Sequence, residues 1–380
     1  MLLTLQTLRA ADAPTFGERV EIRGSLDHSR AQFQEKKTGR VAFIGGSITE
    51  MDGYRPMVSD ILKKRFPETA FDFVNAGIAS TCSTTGAFRL ATDVLASGAP
   101  DLLFIEFAVN DDQDAAHTRA ECIRGLEGII RHARRANPKM DIVVTHFVNE
   151  GMLKTLQAGG TPLTIEAHEA VTKHYGISTI NLAAEVAAEI TDGKLTWQQY
   201  GGVHPAPFGN AICARMIDEL LTRAWAAPRG ENAALPPPLD PLNYEAGRFI
   251  DPKLAKSKSG WTLAIPEWTK LAGSKRDRFT SIPMLTATEP GAEGTLEFEG
   301  TAVGAYVVAG PDAGIVEASV DGGSPRTVNL YHNFSSGLHY PRTVMLGTDL
   351  APGKHTLTFR IAADTKSAGH AARIMQFVAN

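Results

Sequence analysis

The sequence predicts an α/β domain built on a parallel sheet, followed by an all-β sandwich. Three observations carry this reading. Apolar strand-like runs alternate with helical patterns from about residue 40 to 226. A proline-rich stretch, "APRGENAALPPPLDPLNYEAG", then interrupts the pattern at 227–247. Beyond it, short alternating strands are punctuated by Gly, Pro and Asp. A chain of 380 residues also exceeds the usual span of one core, so two domains are expected.

In the first region the strands are expected at 41–44, 71–74, 102–108, 142–147 and 177–180. Their β-branched, continuously apolar character suits strands covered on both faces. Between them, 57–65, 84–95, 119–135 and 164–174 place apolar residues three and four apart, as helices do. A last helix over 207–225 closes the region. Such alternation implies helices on both faces of the sheet. In the second region "GTLEFEG", "AVGAYVVAG", "IVEASVDGG", "RTVNLY", "RTVMLG" and "KHTLTFRI" alternate with period two, which predicts an antiparallel sandwich over 248–380. The expected boundaries are an N-terminal extension at 1–34, the α/β domain at 35–226 and a linker or extended strap at 227–247.

Bulk properties exclude some classes of partner. A formal net charge of -4 gives no reason to expect nucleic acid or an anionic membrane. No apolar run approaches the roughly 20 residues that span a bilayer. Cys82, Cys122 and Cys213 are widely spaced and odd in number, so they read as buried thiols rather than a disulfide framework or a zinc site. "MLLTLQTLRAADAP" has an apolar patch and a small-residue Ala11-Asp12-Ala13 sequence, but lacks a basic start and a full apolar stretch. Residues 1–13 read as the remnant of a signal peptide, which places the protein in the periplasm or outside the cell, with the cytoplasm as the alternative.

Ligands of an open parallel sheet bind beyond the carboxyl ends of its strands. "VAFIGGSITE" brings Gly45, Gly46 and Ser47 to the end of the first strand. "VNAGIAS" brings Asn75 and Gly77 to the second, and "FAVNDD" brings Asn110, Asp111 and Asp112 to the third. "GGVHPAP" supplies His204 just before the last helix. Each type has a task in acyl transfer. A serine attacks an ester carbonyl, and a histidine takes its proton and returns one to the leaving alcohol. The amides of Ser47 and Gly77 and the side-chain amide of Asn110 would receive the oxyanion. One such donor is typically worth ~2.7–4 kcal/mol of transition-state stabilisation. Pro205 and Pro207 hold His204 outside the helix that follows.

"GGSIT", "NAG", "FAVND" and "GVHP", in that order, resemble the four blocks of the SGNH/GDSL hydrolase superfamily over residues ~35–226. The resemblance implies ester hydrolysis on a flavodoxin-like three-layer α/β/α sandwich. By it Ser47 is the nucleophile, Ser47, Gly77 and Asn110 form the oxyanion hole, and His204 is the base. Two positions depart from the pattern. Gly46 stands where an aspartate usually precedes the serine, a carboxylate that is not catalytic. Gly201 stands where the catalytic aspartate is expected, three residues before His204, and "TWQQYGGVHP" holds no carboxylate. The imidazole then needs another acceptor to fix its tautomer. Candidates are the backbone of Tyr200 or Gly201, or the side chains of Asp111 and Asp112. A neutral acceptor in place of a charged one costs about 1–2 kcal/mol, or roughly ten- to thirty-fold in rate.

Glu106, inside a strand expected to be buried, needs a partner. It lies about 13 Å along the strand from Asn110, and an ion pair with Arg55 is expected. In the sandwich, Trp261, Trp268, Tyr306, Tyr331, Tyr340, His332 and His339 are read as core before ligand. "NLYHNFSSGLHYPR" (329–342) is the best candidate for an exposed loop. The domain resembles β-sandwich accessory modules of polysaccharide-processing enzymes, an analogy of fold. No metal or organic cofactor is implied, since no ligand spacing and no phosphate-cradling loop occurs. The expected activity is a serine esterase releasing small acyl groups, acetyl above all, from a small molecule or carbohydrate. The alternatives are a lipase or thioesterase, and a glycan-binding protein that has lost its catalytic carboxylate.

Overall fold

The computed structural model describes residues 15–228, 230 and 234–380. The signal-peptide reading at 1–13 lies outside them. Six strands form the first sheet: β1 Val20–Glu21, β2 Thr38–Gly45, β3 Ala70–Gly77, β4 Leu102–Glu106, β5 Asp141–Thr145 and β6 Ser178–Ile180. Their order is β1-β6-β5-β4-β2-β3, parallel from β6 to β3, with β1 antiparallel at the edge. Every residue of β4 and β5 is buried, as strands covered on both faces must be. Side chains alternate between the faces. Val41, Phe43, Leu102, Phe104 and Val143 join one core, while Ala42, Ile44, Leu103, Ile105, Ile142 and Val144 join the other. The first core includes helices Tyr54–Arg65 and Pro207–Ala226, and the second Ser83–Leu90 and Arg119–Ala136. This is the three-layer, flavodoxin-like arrangement.

Three local differences from the sequence reading have physical reasons. The sheet takes in Val20–Glu21, ahead of the boundary expected at 35, because a two-residue strand carries no period. Helices Glu150–Gln157 and Leu182–Thr191 were not expected, although Asn149 and Asn181 cap them by accepting from the amides of Met152 and Ala184. β4 stops at Glu106 rather than 108, and Ala108–Gln113 is a short helix. That last difference moves Glu106 to the end of its strand.

The second region comprises β7 Arg248–Ile250, β8 Lys256–Ser259, β9 Thr262–Ala264, β10 Met284–Ala287, β11 Glu293–Gly300, β12 Val303–Ala309, β13 Ile315–Val320, β14 Arg326–Asn329, β15 Tyr340–Gly347, β16 Gly353–Ile361 and β17 Ala372–Ala379. One antiparallel sheet runs β15-β12-β17-β10-β9, with β7 paired to β17, and the other runs β14-β13-β16-β11-β8. Their inner faces enclose a third core. β12 is buried at all seven positions. Val303, Ala305, Val307 and Ala309 face the sandwich interior, whereas Tyr306 and Val308 enter the core around helices Ser83–Leu90 and Arg119–Ala136. The sandwich therefore shares a hydrophobic core with the α/β domain rather than hanging from a tether.

The proline-rich stretch is pinned as a strap. Glu127 accepts from the amides of Leu239 and Asp240 at 2.6 and 2.9 Å, Arg124 donates to Asp240 at 2.7 Å, and Arg131 donates to the Pro236 carbonyl at 2.8 Å. Trp261, Tyr306, His339 and Tyr340 are buried, in line with the core reading, while Trp268, Tyr331 and His332 are half-buried. In the loop expected to be exposed, Phe334 is. No helix among the described residues is long and apolar enough to cross a membrane.

Candidate active site

Parallel register places Gly45 of β2 level with Gly77 of β3 and Glu106 of β4, at the carboxyl edge where the chain switches direction across the sheet. Gly46 then turns the chain into helix Ser47–Glu50. Neither glycine has room for a side chain. A Cβ on Gly45 would lie 2.2 Å from Thr49 Oγ1, and one on Gly46 would lie 2.0 Å from Asn110 Oδ1. The aspartate usual at position 46 would require the Asn110 carboxamide to shift. Beneath the turn, buried Arg89 donates to the carbonyls of Ala76 and Gly45 at 2.6 and 2.9 Å and pairs with Asp93 at 3.0 Å. It adds a donor to the last carbonyl of β2 and to the penultimate carbonyl of β3, at the edge where the ladder ends.

His204 reaches this edge from the other end of the domain. Its Nε2 lies 2.8 Å from Ser47 Oγ, across 157 residues of sequence. The loop that carries it is held from both sides. Asn210 donates through Nδ2 to the carbonyls of Pro205 and Ala206, and the Ala206 amide donates to the Tyr200 carbonyl at 2.8 Å. Asn210 also fills the space a Cβ on Gly53 would need, at 2.4 Å, so it ties the His204 loop to the segment following Ser47. Pro207 opens helix Pro207–Ala226 at its first turn.

The expected orienters of His204 do not reach it. The Tyr200 carbonyl accepts from Ala206, and neither it nor the Gly201 carbonyl accepts from His204, whose hydrogen bond among the described residues goes to Ser47. Gly201 has φ +105°, and a Cβ there would lie 2.0 Å from the Ala206 nitrogen, so no carboxylate can occupy that position. Asp111 turns inward, where it accepts from the Ser83 amide and hydroxyl at 2.7 Å each and from His168 Nε2 at 2.9 Å. Asp112 accepts from Asn149 Nδ2 at 2.7 Å. Among the described residues, His204 Nδ1 makes no hydrogen bond.

Two further expectations are corrected. The Gly77 amide donates to Asn75 Oδ1 at 3.0 Å, and the space beside its Cα is filled by the Glu50 backbone, so it is not a free oxyanion donor. The loop beyond it instead contains a non-glycine residue in the left-handed region, Ser80 at φ +73°. Glu106 does not pair with Arg55, whose guanidinium donates to Asp52 at 2.7 Å and to the Thr49 carbonyl at 3.3 Å. Because β4 ends early, the Glu106 carboxyl lies under the Ser47 turn and accepts from the Gly46 amide and, at 3.3 Å, from Thr49 Oγ1. Burial pushes its pKa up to about 8, against the downward pull of those two donors.

Asn110 does stand against the Ser47 turn. Its Oδ1 abuts Gly46, and its Nδ2 donates to Asp114 Oδ2 at 2.8 Å. The other Asp114 oxygen accepts from the hydroxyl of Tyr340, which belongs to the sandwich. The fold also gathers possible metal ligands that show no spacing in sequence: Cys82, Asp111 and His117, and Asp111, Cys122 and His168, each place ligand atoms within 4.8 Å of one another. Burial raises the Asp111 carboxyl, but His117 and His168 outweigh it and hold it well below the usual carboxylate range. With three short hydrogen bonds already on its oxygens, Asp111 is satisfied as a hydrogen-bonding hub.

Glu106 yields a prediction of sign. Its folded pKa, about 8, exceeds the ordinary 4.5, so the native state keeps a proton that the unfolded chain releases. The stabilisation from that proton is full below pH ~4.5 and is lost as pH rises through about 8. Glu106→Gln, which carries no such proton, should therefore gain in melting temperature relative to wild type between pH 5 and pH 9. A difference between the two proteins that stays constant with pH would contradict a protonated Glu106.

Residues 43–212 match the family model of the GDSL-like lipase/acylhydrolase family. No curated protein matches the chain in sequence. Among solved structures, two of a two-domain esterase (CEX) active on acetylated mannans superpose on it. One, co-crystallised with mannopentaose, is 21% identical with a TM-score of 0.77, and covers 95% of this chain and 96% of its own. The other is 21% identical with a TM-score of 0.76 and the same coverage. At that identity the likeness establishes a shared two-domain fold. With the block order, the family match makes the N-terminal domain of this chain similar to the GDSL-like lipase/acylhydrolase family over residues 43–212, and that domain is joined to a β-sandwich.

Proposed function

We propose that the protein is a carboxylic ester hydrolase that removes acetyl groups from carbohydrate through an acyl-enzyme on Ser47. The single observation that carries the mechanism is the 2.8 Å contact between Ser47 Oγ and His204 Nε2. His204 takes the hydroxyl proton as Ser47 Oγ attacks the acetyl carbonyl carbon. The oxyanion is received by the Ser47 amide, in a helix turn whose first amides lack intrahelical acceptors, and by Asn110 Nδ2. His204 passes the proton to the departing sugar oxygen, and the acetyl group stays on Ser47. Water then attacks, with His204 as base again, to release acetate. The carbohydrate part of the reading is supported by the end-to-end likeness to an esterase active on acetylated mannans. Acetylated mannan is therefore the first polymer to try.

The bare Nδ1 of His204 favours a slower enzyme than one with a buried carboxylate. His204 is exposed, so solvent is the acceptor available to it. By the exchange of a charged for a neutral acceptor, the loss is roughly ten- to thirty-fold.

Acetate release from acetylated mannan and turnover of p-nitrophenyl acetate should both be measurable for wild type. Both should fall about a thousandfold or more in Ser47→Ala and in His204→Ala. Equal rates in the three proteins would leave a binding protein in place of an enzyme. Gly201→Asp, which restores the family's usual residue in name, should lower activity and stability, because position 201 is left-handed and its Cβ space holds the Ala206 amide. Faster turnover by Gly201→Asp would refute this account of the missing carboxylate.

A further inference from the structure

We propose that the sandwich takes part in catalysis by holding the oxyanion donor in place, with Tyr340 and Asp114 as positioning residues for Asn110. The proposal rests on the esterase reading above and assigns to the second domain a role in turnover. Three consecutive groups carry it. Tyr340 donates its hydroxyl to Asp114 Oδ1, Asp114 Oδ2 accepts from Asn110 Nδ2 at 2.8 Å, and the Asn110 carboxamide lies against Gly46, next to Ser47. All three side chains are buried, at 2%, 8% and 2% exposure.

The chemistry of each link fixes the next. Asp114 accepts on both oxygens, from Tyr340 on one and from Asn110 on the other, so the edge of Asn110 that faces it is the NH2. One Nδ2 hydrogen is committed to Asp114, and the other meets no acceptor among the described residues. That second hydrogen is the one left for an oxyanion. The carboxamide oxygen, buried and without a donor, is accepted as the cost of this orientation. Turned over, the amide would set its oxygen against the carboxylate.

Asp114 is in turn oriented by a residue that cannot easily move. The Tyr340 ring stacks on His332 at 4.8 Å between centroids and 11° between planes, and Phe334 packs on it at 5.8 Å. Tyr340 opens β15, which pairs with β12, the strand shared between the two cores. The position of the donor is thus referred to the sandwich, 226 residues beyond Asp114.

The test is a double-mutant cycle on p-nitrophenyl acetate, a substrate too small to need a glycan subsite, with Ser47→Ala as the background. Tyr340→Phe keeps the ring and deletes the hydroxyl. It should lower kcat about tenfold with KM unchanged, and should lower it no further in an Asn110→Ala background. Thr343→Val removes another hydrogen bond of the same domain interface, Thr85 Oγ1 to Thr343 Oγ1 at 2.9 Å, and should leave kcat at the wild-type value. Should Tyr340→Phe not fold cooperatively, Asp114→Asn is read in the same cycle, with the same expectation. Wild-type kcat in Tyr340→Phe, equal losses with and without Asn110, or an equal loss in Thr343→Val would overturn the positioning role while the esterase reading stood. Wild type no faster than Ser47→Ala would instead remove the esterase reading, and this role with it.

Discussion

The site depends on one steric constraint: at the end of β2 neighbouring groups press directly on the backbone of two successive residues. Gly45 is wedged between Thr49 and the Glu106 backbone, and Gly46 against Asn110. With glycine at both positions the strand turns closely against these neighbours, and the next residue, Ser47, begins a helix at the sheet edge. The same crowding brings Asn110 against the turn and sets Glu106 beneath it. What the glycines provide is therefore close approach, and the serine is presented as its consequence. Packing and chemistry, which look like rival explanations of "GGS", are here one arrangement.

A second feature is how much of that edge is held from outside the α/β domain. Tyr306 and Val308 of β12 complete a core that begins on Ala42 and Ile44 of β2. Polar contacts add to it. Arg276 donates to the Ala79 carbonyl and the Ser80 hydroxyl, each at 3.0 Å. Arg278 donates to Glu50 at 2.6 Å and to the Gly77 carbonyl at 3.3 Å. These residues line the loops after β2 and β3, so the sandwich braces the segments that flank Ser47. A domain that served only to tether the enzyme to a polymer would need no buried contact there. Interfaces between loosely linked domains are usually more polar and leave relative motion as the default.

Much of this was legible in the sequence because it rests on local signals. Alternating periods mark the layers, Pro207 marks a helix start, the residues at strand ends point to Ser47 and Asn110, and the loop before the last helix points to His204. What escaped notice depends on relations between distant segments or on backbone detail. Gly77 looked like a free donor because nothing in "VNAGIAS" says that Asn75 folds back onto its amide. Glu106 points to Arg55 only if the strand runs to 108; it ends at Glu106, which brings the carboxylate to the turn it supports. Asp114 could have been found: it lies four residues after Asn110, within reach of it along one helical turn. Its partner Tyr340, and the Asn210 clamp on the His204 loop, carry no such signal, since the contacts exist only once the layers have packed.

The claim underlying the whole account is that Ser47, and no other residue, is made nucleophilic by the contact with His204. The most direct measurement is covalent labelling with an alkyl fluorophosphonate, located by mass spectrometry of the digested protein. The account predicts one adduct, on the peptide that contains Ser47, forming in wild type and failing to form at a comparable rate in His204→Ala. Labelling at a different residue, or labelling of Ser47 that proceeds equally fast without His204, would contradict it.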